Sequence, residues 1–146
     1  MARAVPRIVA LAAAVACAPA LAGCGAQRSS TGDRATPVAV TEKDFKIVAP
    51  RILRAGDVRL VIANRGPDDH ELVVVRAPIV GTLPMRADGV TVDEDATEHA
   101  TAGTLEPAPS GAVSELRVHL RPGRYTLLCN MSGHYLGGMH TTVVVR

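Results

Sequence analysis

Three side chains that bind soft metal ions occur at a regular interval near the end of the chain. Cys129, His134 and Met139 supply a thiolate, an imidazole and a thioether, each separated from the next by four intervening residues. Copper alternates between Cu(II) and Cu(I), and sulfur suits the reduced ion while imidazole nitrogen suits both. Zinc also binds His and Cys, but a thioether adds little to a zinc site. The spacing therefore predicts a copper site.

The glycines among these side chains predict that they lie on a loop. Gly133, Gly137 and Gly138 fall within the segment from Cys129 to Met139, which we call the ligand loop. Glycine permits sharp backbone bends, whereas a helix or a strand would point the three side chains apart. We expect the ligand loop to fold around one ion, with Met131 packing beside it rather than binding it.

A second imidazole must come from a distant part of the chain. His70 precedes the apolar run Leu72–Val75, which is typical of a buried strand. A ligand at the start of a rigid strand is held more firmly than one on a loop. The remaining histidines are predicted to be solvated: His99, His119 and His140.

The combined pattern resembles that of the cupredoxins. An N-x-G-x-x-x-H element ends at His70, and a P-G-x-Y turn precedes a C-x4-H-x4-M loop with the spacing of the rusticyanin and sulfocyanin group. The resemblance implies a Greek-key β-sandwich that holds one type 1 copper ion. It makes His70, Cys129 and His134 the trigonal ligands and Met139 the axial ligand. It also implies that electrons enter and leave through His134, near the surface.

One position departs from the family pattern. Cupredoxins often carry Asn or another small polar residue after the first ligand His, and this chain has Glu71. In the family, the residue at this position braces the ligand loop. Groups behind metal ligands hold those ligands in the correct orientation. Glu71 and Asn130 are the candidates for this role here.

Short runs rich in Val, Ile and Thr, separated by Gly, Pro, Asn and Asp, predict an all-β domain of about six to eight strands. Alternating apolar residues make Val58–Asn64 and Glu115–Leu120 strands with one buried face. The clearest other strands are Glu71–Arg76, Tyr125–Leu128 and Thr141–Val145. The segment Pro78–Ser110 shows little periodicity, so we expect one long irregular insertion there.

The beginning of the chain reads as an export signal. Arg3 and Arg7 precede an apolar run that is short for a membrane span, and the run ends in Leu-Ala-Gly-Cys24. This ending resembles a lipobox, which implies removal of residues 1–23 and lipidation of Cys24; ordinary secretory cleavage is the alternative. We expect a flexible tether over 24–37, a domain over 38–146 and a position on the outer face of the cell membrane.

Composition limits the partners. Without Arg3 and Arg7 the chain has 14 basic and 14 acidic residues, and it contains no Trp, so nucleic acid is not expected. We predict an electron carrier that serves redox partner proteins, with respiratory-chain components among the candidates. Copper delivery or buffering outside the cell is the alternative. An enzyme is not predicted, because the other histidines form no second cluster for a catalytic copper.

Overall fold

The computed structural model describes residues 35–77 and 82–146 of the chain. These residues form nine strands, namely β1 Thr36–Lys43, β2 Lys46–Val48, β3 Ile52–Leu53, β4 Gly56–Asn64, β5 His70–Arg76, β6 Thr101–Ala108, β7 Val113–Leu120, β8 Gly123–Leu128 and β9 His140–Val145. The helix α1 Glu94–Thr97 is followed by a 3₁₀ helix, Glu98–Ala100. Among the described residues, no helix is both long and apolar enough to cross a membrane.

The strands form two sheets that share one apolar core. The four-stranded sheet has the order β2–β1–β4–β7, and the five-stranded sheet has the order β3–β9–β8–β5–β6. β1 runs parallel to β4 and β3 parallel to β9, whereas the other neighbours are antiparallel. Both sheets contribute to the core, which includes Leu60, Ile62, Leu72, Val118, Leu127 and Val143.

β4 and β7 each bury one face, as their alternating apolar residues predict. Val58, Leu60 and Ile62 of β4 are buried, and the residues between them are partly exposed. Val118 and Leu120 of β7 are buried in the same way. Because successive side chains of a strand point to opposite faces, this pattern leaves one face of each strand toward the core. Both predicted strands are confirmed.

β5 is buried on both faces, as its continuous apolar run predicts. It lies between β8 and β6 inside the five-stranded sheet. Leu72 and Val74 join the core between the sheets, while Val73 and Val75 join a second cluster on the other face. The second cluster also contains Leu83, Val92 and Leu128. The chain between β5 and β6 therefore covers the outer face of the sheet.

The prediction of one irregular insertion over Pro78–Ser110 is wrong for its second half. Thr101–Ala108 forms β6, the edge strand that pairs with β5. The sequence does not predict this strand, because it contains Gly103 and Pro107 in place of alternating apolar residues. Gly103 is required by packing, since a Cβ atom there would lie 2.8 Å from Cγ1 of Val118. Residues 78–81 lie outside the described residues.

The first strand begins slightly earlier than the predicted domain. Thr36 and Pro37 were expected in the tether, but they belong to β1 and lie opposite Val58 and Arg59 of β4. β2 pairs only with the far end of β1, so Pro37 has a neighbouring strand on one side alone, where a missing N–H is tolerated. The predicted signal segment and Cys24 lie outside the described residues.

Candidate metal centre

Three of the four predicted ligands lie together at one end of the sandwich. His70, Cys129 and His134 each offer a ligand atom, and these atoms all lie within 4.8 Å of one another. Sγ of Cys129 is 3.4 Å from Nδ1 of His134. His70 begins β5 and Cys129 directly follows β8, and these strands are paired neighbours. The five-stranded sheet thus brings the distant His70 to the ligand loop.

The two nitrogen atoms of His70 have different surroundings. Nε2 lies 3.1 Å from Oδ1 of Asp44. Nδ1 is buried and has no hydrogen-bond partner among the described residues. A buried nitrogen without a partner is unfavourable, because it has lost its hydrogen bond to water. Because His70 also belongs to the group with a thiol and a second imidazole, this unpartnered nitrogen fits a metal ligand.

Hydrogen bonds within the ligand loop hold it closed. The N–H of Cys129 donates to the carbonyl of Met139 at 3.1 Å, and the N–H of Met139 donates to the carbonyl of His134 at 2.9 Å. Gly133 and Gly138 have φ angles of 79° and 101°, in the region that favours glycine. These turns are the bends that the glycines predict.

Met139 is fully buried and directly precedes β9. Its backbone bonds to Cys129 and His134 fix where its side chain begins. It packs in the core cluster that also contains Cys129. Its role as axial ligand stays a prediction. Met131 also packs against this cluster, as expected.

The environment of Cys129 favours the neutral thiol when no metal is bound. Burial raises the pKa of the Cys129 thiol to about 11, and the negative charges of Glu71 and Glu42 act in the same direction. The backbone N–H groups of Glu71 and Met131 donate to the sulfur and oppose this effect. Both donors would stabilise a thiolate once a cation replaced the proton. Cys129 forms no disulfide and is buried.

The two residues predicted to brace the ligand loop contact each other, and Asn130 itself lies on the loop. The backbone N–H of Asn130 donates to the carboxylate of Glu71, whose pKa is raised by burial and by the charge of Glu94. The Asn130 side chain accepts from the N–H of Val92 at 2.6 Å and donates to its carbonyl at 3.0 Å. It also donates to Oε1 of Glu94 at 2.7 Å. Asn130 therefore ties the ligand loop to the chain between β5 and β6.

Sequence reasoning missed three residues at the site, all near the end of β1. Asp44 contacts His70, and the ring of Phe45 lies edge-on to the ring of His134 with centroids 5.5 Å apart. Glu42 is fully buried, and neither of its carboxylate oxygens has a hydrogen-bond partner in the described chain. These residues belong to no motif, and only folding places them beside the ligands.

The other histidines lie outside the ligand group. His119 is 66% exposed and pairs with Asp57 at 2.7 Å. The ring of His140 packs against that of Tyr135, with centroids 4.9 Å apart. The cluster of three ligand-type residues contains neither of them, nor His99.

Solved structures include proteins with the same architecture. Auracyanin from the photosynthetic bacterium Roseiflexus castenholzii matches with a TM-score of 0.57 at 15% identity, over 77% of this chain and 98% of that chain. Auracyanin A from Chloroflexus aurantiacus, described as a "blue" copper protein, matches with a TM-score of 0.52 at 18% identity, over 75% and 99%. The chain has the cupredoxin fold. Rusticyanin from Thiobacillus ferrooxidans matches with a TM-score of 0.53 at 14% identity, over 77% and 79%.

The cupredoxin fold confirms the predicted fold class, an all-β Greek-key sandwich. These identities are too low for the similarity to carry more than the fold. No family model and no curated protein matches the sequence. The assignment of ligands on this cupredoxin fold therefore depends on the geometry of the chain itself.

Proposed function

We propose that this chain is an electron-transfer protein that holds one copper ion through His70, Cys129 and His134, with Met139 as a weaker axial ligand. One observation carries the proposal: the buried Nδ1 atom of His70 has no hydrogen-bond partner in the described chain, and His70 belongs to the group that contains a thiol and a second imidazole. Two imidazoles and a thiolate are a donor set that suits copper in both oxidation states. The blue copper protein auracyanin A shares the fold.

The residues of the site favour electron transfer over reaction with a substrate. Copper, when bound, supplies a one-electron couple. The hydrogen bonds that close the ligand loop keep the ligands in place, so little rearrangement accompanies each electron. His134 is only partly buried, whereas His70, Cys129 and Met139 are fully buried. His134 is therefore the ligand through which a redox partner protein exchanges electrons.

A second observation supports an electron carrier over a copper enzyme. Related copper enzymes need a further copper with additional His ligands. The described residues contain one group of three ligand-type side chains, and it is the site already described. We also propose that the protein lies outside the cell and is anchored through Cys24. This location is inferred from the sequence of the first 24 residues.

The test is to add Cu(II) to the metal-free protein and to record its visible spectrum and its reduction potential. We expect an intense band, because electron density moves from the Cys129 thiolate to Cu(II), and a reversible one-electron couple. Cys129→Ser should remove the band, and a band that survives would contradict the ligand assignment. A protein that binds only Cu(I) and stays colourless would contradict electron transfer and support copper delivery.

The axial ligand is tested by comparing two methionines. Met139→Gln replaces a soft thioether with a harder oxygen, which favours Cu(II) and lowers the reduction potential by about 59 mV for each tenfold change in preference. Met131→Gln is the matched control, because Met131 packs against the core. Equal potentials for the two variants would remove Met139 from the ligand set.

A further inference from the structure

The turn between β1 and β2 contacts both imidazoles of the site. It consists of Asp44 and Phe45, which we call the hairpin turn. Oδ1 of Asp44 is 3.1 Å from Nε2 of His70, and the Phe45 ring lies edge-on to His134 at 5.5 Å between centroids. The hairpin turn belongs to the four-stranded sheet, whereas His70 belongs to the other sheet. It therefore approaches the site from the opposite side of the sandwich.

Two glycines make room for the hairpin turn. A Cβ atom at Gly66 would lie 2.5 Å from Oδ1 of Asp44 and 2.7 Å from Nε2 of His70. A Cβ atom at Gly137 would overlap the ring of Phe45. Protein interiors tolerate no such overlap, so glycine at both positions permits the close approach. The hairpin turn is thus packed against both ligand-bearing segments.

Phe45 occupies a backbone conformation that phenylalanine rarely adopts. Its φ angle is 58°, and two-residue hairpin loops normally place Gly, Asn or Asp at such positions. Phe45 is 52% exposed, so burial of the ring does not explain the choice. Strained residues of this kind persist where the surroundings require them, and they concentrate at functional sites. Here the requirement is the contact of the ring with His134 and Gly137.

The contact with Asp44 also determines which ring nitrogen of His70 carries the proton. A neutral imidazole carries one proton, and a carboxylate beside Nε2 holds that proton there. Nδ1 then presents a lone pair, and it is the buried atom without a partner in the described chain. Without the carboxylate, the proton could move to Nδ1, where it would block a metal.

From these contacts we infer that Asp44 and Phe45 are positioning residues for the metal centre. Asp44 holds His70 in the tautomer that can bind copper, and Phe45 limits the motion of the His134 ring and its contact with water. This inference rests on the proposed copper site. Neither residue is a ligand, and each acts on one imidazole.

Asp44 is tested by nitrogen-15 NMR of the metal-free protein, which reports the tautomer of His70 directly. Asp44→Ala should populate the tautomer with the proton on Nδ1 and weaken Cu(II) binding by about tenfold to a hundredfold. Asp44→Asn should keep the tautomer, because the amide oxygen still accepts from Nε2, and should raise the reduction potential by removing a negative charge. The matched controls are Asp57→Ala and Asp57→Asn, which change the exposed pair with His119. They should leave His70 and the potential unchanged.

Phe45 is tested by the line widths and water exchange of the His134 imidazole in the same spectra. Phe45→Ala should broaden these signals and speed exchange, while His70 keeps its tautomer. Gly137→Ala should have the same effect with Phe45 present, because the new methyl group displaces the ring. Val48→Ala is the control, since Val48 is similarly exposed on the adjoining strand β2.

The outcomes separate this inference from the proposed function. An Asp44→Ala protein with the His70 tautomer of the parent, or a Phe45→Ala protein with unchanged His134 signals, would overturn it for that residue even if the parent is blue. A parent that binds no copper would refute the proposed function, and the NMR spectra of the metal-free variants would still decide whether the hairpin turn positions the imidazoles.

Discussion

Glu42 is a carboxylic acid enclosed by the core near the metal centre. It is fully buried on β1, and both of its carboxylate oxygens lack a hydrogen-bond partner within the described residues. Burial, with a smaller effect from the charge of Glu71, raises its pKa from 4.5 to about 7. A carboxylate in such a place would lack the compensation that water provides. The folded state therefore favours the protonated form of Glu42.

This raised pKa predicts that the metal-free protein loses stability as the pH rises. Below pH 4.5 both states hold the proton, and between 4.5 and about 7 only the unfolded state releases it, so the free energy of unfolding falls across that window. Above that window the loss is complete and amounts to about 3 kcal/mol. Glu42→Gln should remove this dependence and be the more stable protein at pH 8, as measured by urea unfolding.

The control for this prediction is Glu98→Gln, which changes an exposed carboxylate. It should keep the pH dependence of the parent. If Glu42→Gln shows the same decline between pH 4.5 and 7 as the parent, the decline has another origin, and Glu42 ionises in the folded state as easily as in the unfolded one.

At the scale of residues, the sequence could predict what is local. Cys129, His134 and Met139 are found by their spacing, and the structure places the first two within 3.4 Å. Asp44 and Glu42 could not be found, because no local pattern distinguishes them from surface acids. Their environment arises only when β1 packs against β4 and the site end of the sandwich forms.

Among the elements, β6 depends on a glycine at the point where it approaches β7. Gly103 lies where β6 approaches Val118 of β7. Gly103→Ala would place a methyl group 2.8 Å from Cγ1 of Val118, and such overpacking destabilises by about 1–3 kcal/mol. Urea unfolding at fixed pH should show a lower midpoint than the parent.

Thr104→Val is the control for Gly103→Ala, because Thr104 is exposed on the same strand. It adds apolar volume without entering the space between the sheets, so its midpoint should stay near that of the parent. Equal midpoints for both variants would mean that β6 and β7 can move apart without loss of stability.

The elements that sequence analysis finds are those with a pattern of their own. β4 and β7 alternate, and β5 is continuously apolar, so each is visible in isolation. β6 has neither pattern, since its place is set by pairing with β5 and by close approach to β7. The short strands β2 and β3 are likewise defined by their partners.

For the whole molecule, the main prediction concerns its attachment to a membrane. If Cys24 is lipidated, the exported protein should remain with the membrane fraction and enter the detergent phase. Cys24→Ser should release it or prevent its maturation. Cys17→Ser is the matched control, because Cys17 lies inside the apolar run that precedes the predicted cleavage site. Fractionation of cells that express each variant provides the measurement.

Recovery of the parent in the soluble exported fraction would contradict lipidation and support ordinary secretory cleavage. At this scale the sequence could predict an all-β domain, because turn residues and short apolar runs recur throughout it, and the resemblance to cupredoxins implied a sandwich. It could not predict the strand order, in which β1 runs parallel to β4 and β6 takes an edge. Strand order depends on contacts between distant segments, and such contacts produce no periodic pattern in the sequence.

The ligands and the residues behind them come from different halves of the sandwich. His70, Cys129 and Met139 are attached to β5, β8 and β9 of one sheet, while Asp44 and Phe45 are attached to the other sheet. A substitution in the core between the sheets would shift one set of residues against the other without separating the ligands. Changes far from the metal could therefore adjust its reduction potential while the site itself remains assembled.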